Sequence, residues 1–229
     1  MFEQTHNRFA ALNTHKIIKH NNKQINCVVP TSNNHVECNI SNKSNKTIIK
    51  SHNSNNIGTT KLNSNWTLTF HHNPSIWTIN GYQQIATFDT VDSYLDIMLY
   101  LDRVANINSI NLCFFRKGIT PLWEDNANRN GGHWSMKLNM EQGFTVWKSL
   151  THKLICESLL KTIVEPDING YINGITISNK IVNNESIIKI WVSDRKISNT
   201  SLICTDIMNE CILPFIKSKI IFQVISPEK

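Results

Sequence analysis

No apolar run in this sequence approaches the ~20 residues that a membrane-spanning helix requires. The first residues, MFEQTHNRFAALNTHK, also lack the apolar stretch of a secretory signal peptide. Charged residues make up 17% and hydrophobic residues 40% of the 229 residues, which is lean but supports one core. We therefore expect a cytoplasmic chain, and largely exclude a membrane protein or a classically secreted one.

Signals for metal binding and catalysis are also missing. The six cysteines include no C-x-x-C pair and the nine histidines no H-x-x-x-H pair, so we expect no zinc and no cofactor. There is no G-x-x-x-x-G-K phosphate loop. Glu124 and Asp125 are adjacent and point apart, so they form no acid–base pair, and no nucleophile–base set is recognisable. We do not expect an enzyme.

Acidic residues are scarce in the first part of the chain. Residues 1–65 contain eight Lys or Arg but two Asp or Glu, whereas residues 66–229 contain fifteen of each kind. Residues 1–60 are rich in Asn, Lys, Ser and His and contain no Trp or Tyr, a composition that cannot offset the entropy lost on ordering. We therefore predict a disordered basic tail over residues 1–60 and a folded domain over residues 61–229.

From Trp66 onward the pattern predicts alternating strands and helices. The predicted strands are 66–70, 83–88, 110–115, 133–140, 171–181, 186–194 and 219–225. The predicted helices are 91–104, capped by Thr90, then 144–164 and 199–213. Because neighbouring strands often follow one another as hairpins, we predict an α+β fold. It is a curved, mostly antiparallel sheet backed by about three helices on its convex face.

The loop between Gly118 and Gly132 carries the most informative side chains. Trp123 lies beside Glu124, and an indole in a loop is often part of a binding surface. A ring beside a carboxylate suits a flat cationic ligand with N–H donors, such as a guanine methylated at N7. Trp77, in another loop, is the candidate for the second ring of a sandwich. From these residues alone, the alternative is that both tryptophans pack in the core.

Several elements occur in a fixed order along the chain. They are WTLTF (66–70), an isolated Trp77, FDTV (88–91), GITPLWED (118–125), N-x-x-G-G-H-W (128–134), WKSL (147–150) and IKIW (188–191). Over residues 60–225, this set resembles the eukaryotic translation initiation factor 4E family, which binds the 7-methylguanosine cap of mRNA. FDTV or the glycine pair before Trp134 would be a weak signal alone, but the ordered set argues against the core alternative for Trp77 and Trp123.

The resemblance implies that four residues contact the methylated guanine base of the cap. Trp77 and Trp123 are similar to the two indoles that sandwich the methylated base. Glu124 is similar to the carboxylate that accepts hydrogen bonds from the base edge, and Trp191 to a tryptophan near the N7-methyl group. The implied pocket lies on the concave side of the sheet, while Trp66, Trp134 and Trp147 match structural positions.

The residues that hold the cap phosphates depart from the family pattern. The family has an Arg and a Lys ahead of the IKIW strand, whereas this chain has Lys180 at the Arg position and Ile187 near the Lys position. An Arg fork binds two phosphate oxygens at once, which a Lys does not. The resemblance therefore implies a phosphate grip that is weaker or shifted. The candidates are Lys180, Lys189, His133, Lys217 and Lys219.

The surface that binds partner proteins in the family departs further. The family pairs a Val with a Trp four residues later, whereas this chain has Val91 and Leu95. Two positions that are normally apolar are Lys148 and His152, and Glu157 matches the family Glu. An anchor Trp contributes ~2 kcal/mol or more at an interface. We therefore expect weak contact with the usual initiation factor 4G scaffold and a dedicated, divergent equivalent in its place. The alternative is that Leu95 and an altered 4G-like motif still pair adequately.

The resemblance implies that the chain binds the mRNA cap and recruits the mRNA for translation initiation through a scaffold partner. Two alternatives remain open at this point. One is a repressor that sequesters caps, and the other is a protein-interaction scaffold that has lost cap binding. Abundant Asn, Ile and Lys suggest an AT-rich genome, and an origin in a virus or a divergent protist is a hypothesis.

Overall fold

The computed structural model describes residues 60–73, 75–104 and 110–226, without the side chain of Val104. The predicted tail over residues 1–60 lies, up to residue 59, outside this range. The described residues contain seven strands and three helices, besides short 3-10 turns. The strands are β1 Lys61–His71, β2 Tyr82–Thr90, β3 Asn111–Arg116, β4 Gly132–Asn139, β5 Ile172–Lys180, β6 Glu185–Val192 and β7 Ile221–Val224. The helices are α1 Val91–Val104, α2 Met140–Ile155 and a π-helical segment, Ile207–Ile212.

The strands form one curved sheet in the order β2-β1-β3-β5-β6-β4-β7, and all paired neighbours are antiparallel. The predicted α+β class and antiparallel sheet are therefore confirmed. The cap predicted at Thr90 is present, because its hydroxyl accepts a hydrogen bond from the Ser93 amide at 3.3 Å. Within the described part of the chain, none of the helices has the length and hydropathy of a membrane span.

Helix α2 was predicted over residues 144–164 but spans residues 140–155. It ends because Glu157 adopts a left-handed φ of 51°, which a continuing helix does not allow. The apolar residues that extended the helical pattern in the sequence, Leu159 and Leu160, are fully buried in an irregular segment instead. Leu160 forms a β-bridge with Ile203, and this pairing also changes the helix that was predicted over residues 199–213.

The helix predicted over residues 199–213 is interrupted by that bridge. A single 3-10 turn, Thr200–Leu202, precedes Ile203, and the chain becomes helical again only after Cys204. Strands β5 and β6 are joined by a 3-10 turn over Ile181–Asn183, followed by Asn184 with a φ of 49°. Asn is among the residues that adopt this conformation most readily.

The sheet separates two groups of apolar side chains. The main core lies between the sheet and the helices and contains Trp66, Trp134 and Trp147, whose exposed fractions are 1%, 0% and 0%. This confirms their predicted structural role. The second group, on the other face of the sheet, consists of Cys113, Phe115, Trp191 and Ile225. We call this second face, which the helices do not cover, the open face.

Candidate nucleic-acid interface

The two tryptophans that were predicted to bind the base differ from the other four in burial. Trp77 is 66% exposed and Trp123 is 54% exposed, whereas Trp66, Trp134 and Trp147 are buried and Trp191 is 4% exposed. A ring with more than half of its surface exposed does not pack in the core, and an exposed indole in a loop is available to bind a ligand. The core alternative for Trp77 and Trp123 is therefore wrong.

The loop that carries Trp77 is held from below by an aromatic stack. The ring of His71, at the end of β1, stacks on the ring of Tyr82, at the start of β2, with centroids 4.2 Å apart and planes 7° apart. The Trp77 ring meets the edge of His71 at 4.9 Å. The Nε2 atom of His71 also lies 2.9 Å from the carbonyl oxygen of Ile76, the residue before Trp77. His71 therefore contacts the loop through both its ring and its polar atom.

Tyr82 connects this loop to the one that carries Glu124. Burial raises the pKa of the Tyr82 phenol, and the nearby Cys113 thiol and Glu124 carboxylate raise it further. Glu124 is therefore close enough to act on Tyr82 electrostatically. Tyr82 also packs against the buried cluster on the open face. The structure thus gives the Trp77 loop and the Trp123–Glu124 loop a common neighbour.

The loop that carries Trp123 and Glu124 is built around Asp125. One carboxylate oxygen of Asp125 accepts hydrogen bonds from the amide and the hydroxyl of Thr120, at 2.8 and 2.6 Å. The other accepts from the amide of Ala127 at 2.9 Å. Partial burial alone raises the pKa of Asp125, but these hydrogen bonds outweigh it and lower the pKa overall. Asp125 is therefore ionised at neutral pH, and its carboxylate fixes the turn that carries Trp123 and Glu124.

Two asparagines attach this loop to the sheet. The side-chain amide of Asn128 donates to the carbonyl oxygens of Thr120 and Leu122, both at 2.8 Å. Asn173 of β5 donates to the carbonyl of Ala127 at 2.7 Å and to Oδ1 of Asn128 at 2.9 Å. The sequence reasoning missed Asn173, which lies far from the loop in sequence. Its buried position beside the glycine of β5 is known only from the fold.

Trp191 lies in a cross-strand row on the open face. The strand register places Phe115, Gly174, Trp191, His133 and Gln223 side by side. The Trp191 ring packs on the edge of Phe115 at 5.6 Å and stacks on His133 at 5.3 Å. A Cβ on Gly174 would lie 2.5 Å from Cγ of Phe115, so this position accepts only glycine without a shift. Trp191, which was predicted to lie near the methyl group of the base, is therefore part of the floor of the open face. Tyr82 packs against the same buried cluster.

His133 is buried and uncharged at neutral pH. Burial lowers the pKa of His133 to about 4, and the charge of Lys189 lowers it further, against a hydrogen bond with Gln223 that raises it. The Nε2 atom lies 2.8 Å from Oε1 of Gln223, so Nε2 carries the proton and Nδ1 is an acceptor. An acceptor does not bind a phosphate oxygen. The structure therefore argues against the predicted contribution of His133 to phosphate binding at neutral pH.

Lys189 lies in the next row along the same face. The register aligns it with Thr176 of β5 and Ser135 of β4, two residues along β6 from Trp191. Burial lowers the pKa of Lys189, and the charge of Lys180 lowers it further. Among the residues that the structure describes, no carboxylate pairs with Lys189. A half-buried ammonium without an acidic partner is suited to binding an anion.

The remaining phosphate candidates lie further along the strands. Lys180 pairs in register with Glu185, six residues from Trp191 along β6. The Nζ atom of Lys217 donates to the carbonyl oxygen of Asn184 at 2.9 Å, at the β5–β6 turn. The exposed Lys219 lies between Lys217 and Ile221, which is aligned with Ser135. The structure therefore places these three lysines along β4–β6 rather than around Trp191.

The predicted partner-binding residues lie on and beside helices α1 and α2. Val91 and Leu95 are half-buried on α1, and Leu99, one turn beyond Leu95, is 55% exposed. Lys148 of α2 forms a short ion pair with Asp102 of α1, and its Nζ lies 5.2 Å from the centroid of the Phe144 ring. The charge predicted to disturb this surface is therefore paired within the protein. The sequence reasoning missed both Asp102 and Leu99.

His152 and Glu157 complete this surface. The His152 ring meets the edge of Tyr94 at 5.9 Å, and burial, then the charge of Lys153, lowers the pKa of His152. Glu157 accepts a hydrogen bond from the side-chain amide of Asn63 at 3.0 Å, which joins the end of α2 to β1. Both side chains are therefore engaged within the fold.

Comparisons with known proteins place this geometry in a family. Residues 61–227 match the family model described as eukaryotic initiation factor 4E. The chain is 31% identical over 113 residues to the eukaryotic translation initiation factor NCBP of Triticum aestivum, covering 49% of this chain and 45% of that protein. It is 32% identical over 110 residues to the initiation factor 4E homolog of Acanthamoeba polyphaga mimivirus, covering 42% and 39%. The chain thus spans less than half the length of these relatives.

Solved structures show the same fold. The complex of C. elegans eIF4E-3 with the 4E-binding protein Mextli superposes with a TM-score of 0.58 at 17% identity, over 72% of this chain and 93% of that one. Schistosome eIF4E complexed with m7GpppG and 4E-BP gives a TM-score of 0.57 at 22% identity, over 72% and 87%. At such identities the similarity establishes the architecture and not the ligand.

Proposed function

Because this chain belongs to the eukaryotic initiation factor 4E family, we propose that it binds the 7-methylguanosine cap of mRNA. One observation carries the proposal. Of the six tryptophans, only Trp77 and Trp123 are exposed. Their loops lie near Tyr82, which Glu124 influences electrostatically. These are the two indoles that the family resemblance assigns to the sandwich around the base. Solved relatives bound to cap analogues, such as schistosome eIF4E with m7GpppG, support it.

The chemistry selects a methylated base by its charge. Methylation at N7 makes guanine a cation, and each indole face stabilises a cation by ~0.5–2 kcal/mol. The Glu124 carboxylate accepts N–H donors from the base edge, as the resemblance implies. Loss of the methyl group is therefore expected to weaken binding on the order of tenfold to a thousandfold, whereas stacking alone would tolerate any base.

Isothermal titration calorimetry with 7-methyl-GTP, GTP and ATP tests the proposal. Wild-type protein is expected to prefer 7-methyl-GTP strongly, and Trp77→Ala, Trp123→Ala and Glu124→Ala are expected to lose that preference. Glu210→Ala, which removes an exposed carboxylate from the π-helical segment, is the matched control and should bind as wild type. Equal, weak binding of the three nucleotides by wild-type protein would overturn the proposal and favour a protein-interaction scaffold.

We further propose that the bound mRNA is recruited for translation in the cytoplasm through a scaffold partner on helices α1 and α2. The alternative is a repressor that sequesters caps. Both use the same pocket, and solved relatives are bound to 4E-binding proteins such as Mextli. Tethering the protein to a reporter mRNA distinguishes them, since recruitment raises reporter translation and sequestration lowers it.

A further inference from the structure

Helix α1 carries a stripe of acidic and apolar side chains on its outer side. Asp92, Leu95, Asp96 and Leu99 follow the spacing i, i+3, i+4 and i+7, which places them on one face of the helix. Asp96 is exposed, Leu99 is 55% exposed, and the other two are half-buried. We call these four residues the α1 stripe. Leucines between carboxylates are complementary to a partner that is both apolar and basic.

The two carboxylates of the stripe have no cationic partner within the described part of the chain. Its ion pairs include neither Asp92 nor Asp96, whereas Asp102, farther along the same helix, is paired with Lys148. Arg103 of α1 lies ~10 Å beyond Asp96 along the helix axis. Two like charges four residues apart on a helix also repel each other. The described fold therefore leaves the negative charge of the stripe uncompensated.

The chain enters the folded domain beside this stripe. The amide of Val91, the first residue of α1, donates to the carbonyl oxygen of Thr60 at 3.0 Å. The next residue, Lys61, is aligned with Thr90 at the start of β1. The part of the chain that precedes Thr60 is therefore tethered at the N-terminal end of α1. With a rise of 1.5 Å per residue, Leu99 lies only ~12 Å along the helix from this tether.

The sequence ahead of the tether contains a segment of complementary chemistry. Residues 46–50 read KTIIK, with two isoleucines between two lysines, and no Asp or Glu occurs between Glu37 and Thr60. Residues 51–59, SHNSNNIGT, are mostly polar, and this composition predicts a flexible linker. Both ranges lie outside the described residues. Their sequence supplies the apolar and positively charged groups that the α1 stripe lacks.

We propose that residues 46–50 dock on the α1 stripe of the same chain. The two isoleucines contact Leu95 and Leu99, and the two lysines pair with Asp92 and Asp96. Because Leu95 also belongs to the predicted partner-binding surface, the docked segment competes with a partner protein for that surface. The contact is therefore autoinhibitory. It goes beyond the proposed cap binding, since neither tryptophan loop of the open face takes part in it.

The length of the linker favours this segment over a similar one farther away, KIIK at residues 16–19. A flexible chain from Ile49 to Thr60 has an end-to-end distance of ~18 Å, which is close to the span that docking requires. From Ile18 the same distance is ~36 Å. Effective concentration falls with about the −3/2 power of linker length, so residues 46–50 have an advantage of about sevenfold. The tail of a second copy, present at micromolar concentration, is more dilute than either.

Photo-cross-linking of the full-length protein tests the proposal. The photoreactive residue benzoylphenylalanine replaces Thr47, inside the segment, and the site of attachment is mapped by mass spectrometry of peptides after irradiation. We expect attachment to α1 within one polypeptide, which migrates as a monomer on a denaturing gel. The same probe at Thr14, beside residues 16–19, should give about sevenfold less attachment to α1.

Two variants examine the two sides of the contact. Asp92→Asn/Asp96→Asn is expected to lower attachment from Thr47 to α1 by about fivefold, because it removes two surface ion pairs. Ile48→Ser/Ile49→Ser should also lower it, and this variant changes no residue of the described domain. Circular dichroism checks that the first variant is folded.

Asp206→Asn/Glu210→Gln is the matched control, because it removes two exposed carboxylates at the π-helical segment instead of on α1. It should keep the wild-type yield. Attachment that maps outside α1, that joins two polypeptides, or that neither double variant lowers overturns the proposal. Equal or greater attachment from Thr14 overturns it as well, because the occupant is then residues 16–19.

Failure of the proposed function is seen in a different experiment. It appears in calorimetry, when wild-type protein does not distinguish 7-methyl-GTP from GTP. The cross-linking contains no nucleotide, so its result stands whether or not the protein binds a cap.

Discussion

The rings of His71 and Tyr82 stack face to face with centroids 4.2 Å apart, directly beneath the loop that carries Trp77. This pair joins the ends of two neighbouring strands to the exposed indole and, through Tyr82, to the Glu124 carboxylate. His71 is 6% exposed, so it does not itself offer a surface to a ligand. It is a positioning residue for the Trp77 loop.

We predict that His71→Ala lowers affinity for 7-methyl-GTP by about tenfold. The variant removes an aromatic contact, with an energy of ~0.5–1.5 kcal/mol, and a hydrogen bond of ~1 kcal/mol to the loop. His71→Phe keeps the ring and loses only the contact with the Ile76 carbonyl, so it should be intermediate. Calorimetry measures both, with thermal unfolding as the check on folding. Wild-type affinity in both folded variants would show that the loop does not depend on this stack.

Asn173 offers a test of the loop that carries Trp123 and Glu124. Asn173→Ala removes two donated hydrogen bonds and leaves the Ala127 carbonyl and Oδ1 of Asn128 without that partner, at a cost of ~1–3 kcal/mol. We expect a lower free energy of unfolding in urea and weaker binding of 7-methyl-GTP, because the loop presents Trp123 and Glu124. Ser178→Ala, on the same strand, is the control. A stability loss with unchanged affinity would limit Asn173 to a structural role.

His133 predicts a pH dependence of stability. Because the folded protein lowers the pKa of His133 to about 4, the unfolded chain takes up this proton first as the pH falls. The neutral, buried His133 contributes its whole share of the free energy of unfolding above the ordinary pKa of ~6.5. This contribution is lost as the pH falls from there toward 4. Urea unfolding across this range should show a smaller decline for His133→Gln than for wild type. Parallel curves would contradict the buried, neutral state of His133.

The partner surface predicts a gain of function. Leu95 replaces the Trp of the family, and Lys148 carries a charge that Asp102 pairs. We expect Leu95→Trp/Lys148→Leu to bind a helical peptide with Tyr and Leu anchors, of the kind the scaffold carries, at least tenfold more tightly. Fluorescence anisotropy of the labelled peptide measures this.

A parallel variant on the cap side, Glu124→Ala, should leave peptide binding unchanged. Equal peptide affinity for wild type and the double variant would mean that residues other than these two limit the contact. The exposed Leu99, one turn beyond Leu95, is then the first to examine.

The contribution of sequence reasoning is clearest at the tryptophans. The ordered motifs of the family resemblance separated Trp77 and Trp123 from Trp66, Trp134 and Trp147, and the structure exposes the first two and buries the other three. Trp191, which the resemblance also assigned to the base, is buried. Burial of alternate residues follows from the strand period, which is local and therefore readable from sequence. The C-terminal end of α2 was not readable, because Leu159 and Leu160 continue a helical pattern, whereas the helix ends at Ile155 and Glu157 adopts a left-handed φ.

The sequence by itself determined the α+β class, the order of most elements, the family and the candidate residues for binding the base. These depend on local periodicity and on motifs whose members are close along the chain. Only the tertiary structure decided which distant residues share a row or a bond: His133 with Gln223, Lys148 with Asp102, and Asn173 with Asn128. Such pairs depend on strand register and helix packing. The role of a charged residue therefore cannot be read from the sequence alone. It depends on whether the fold pairs the charge with another side chain, buries it or exposes it to a ligand.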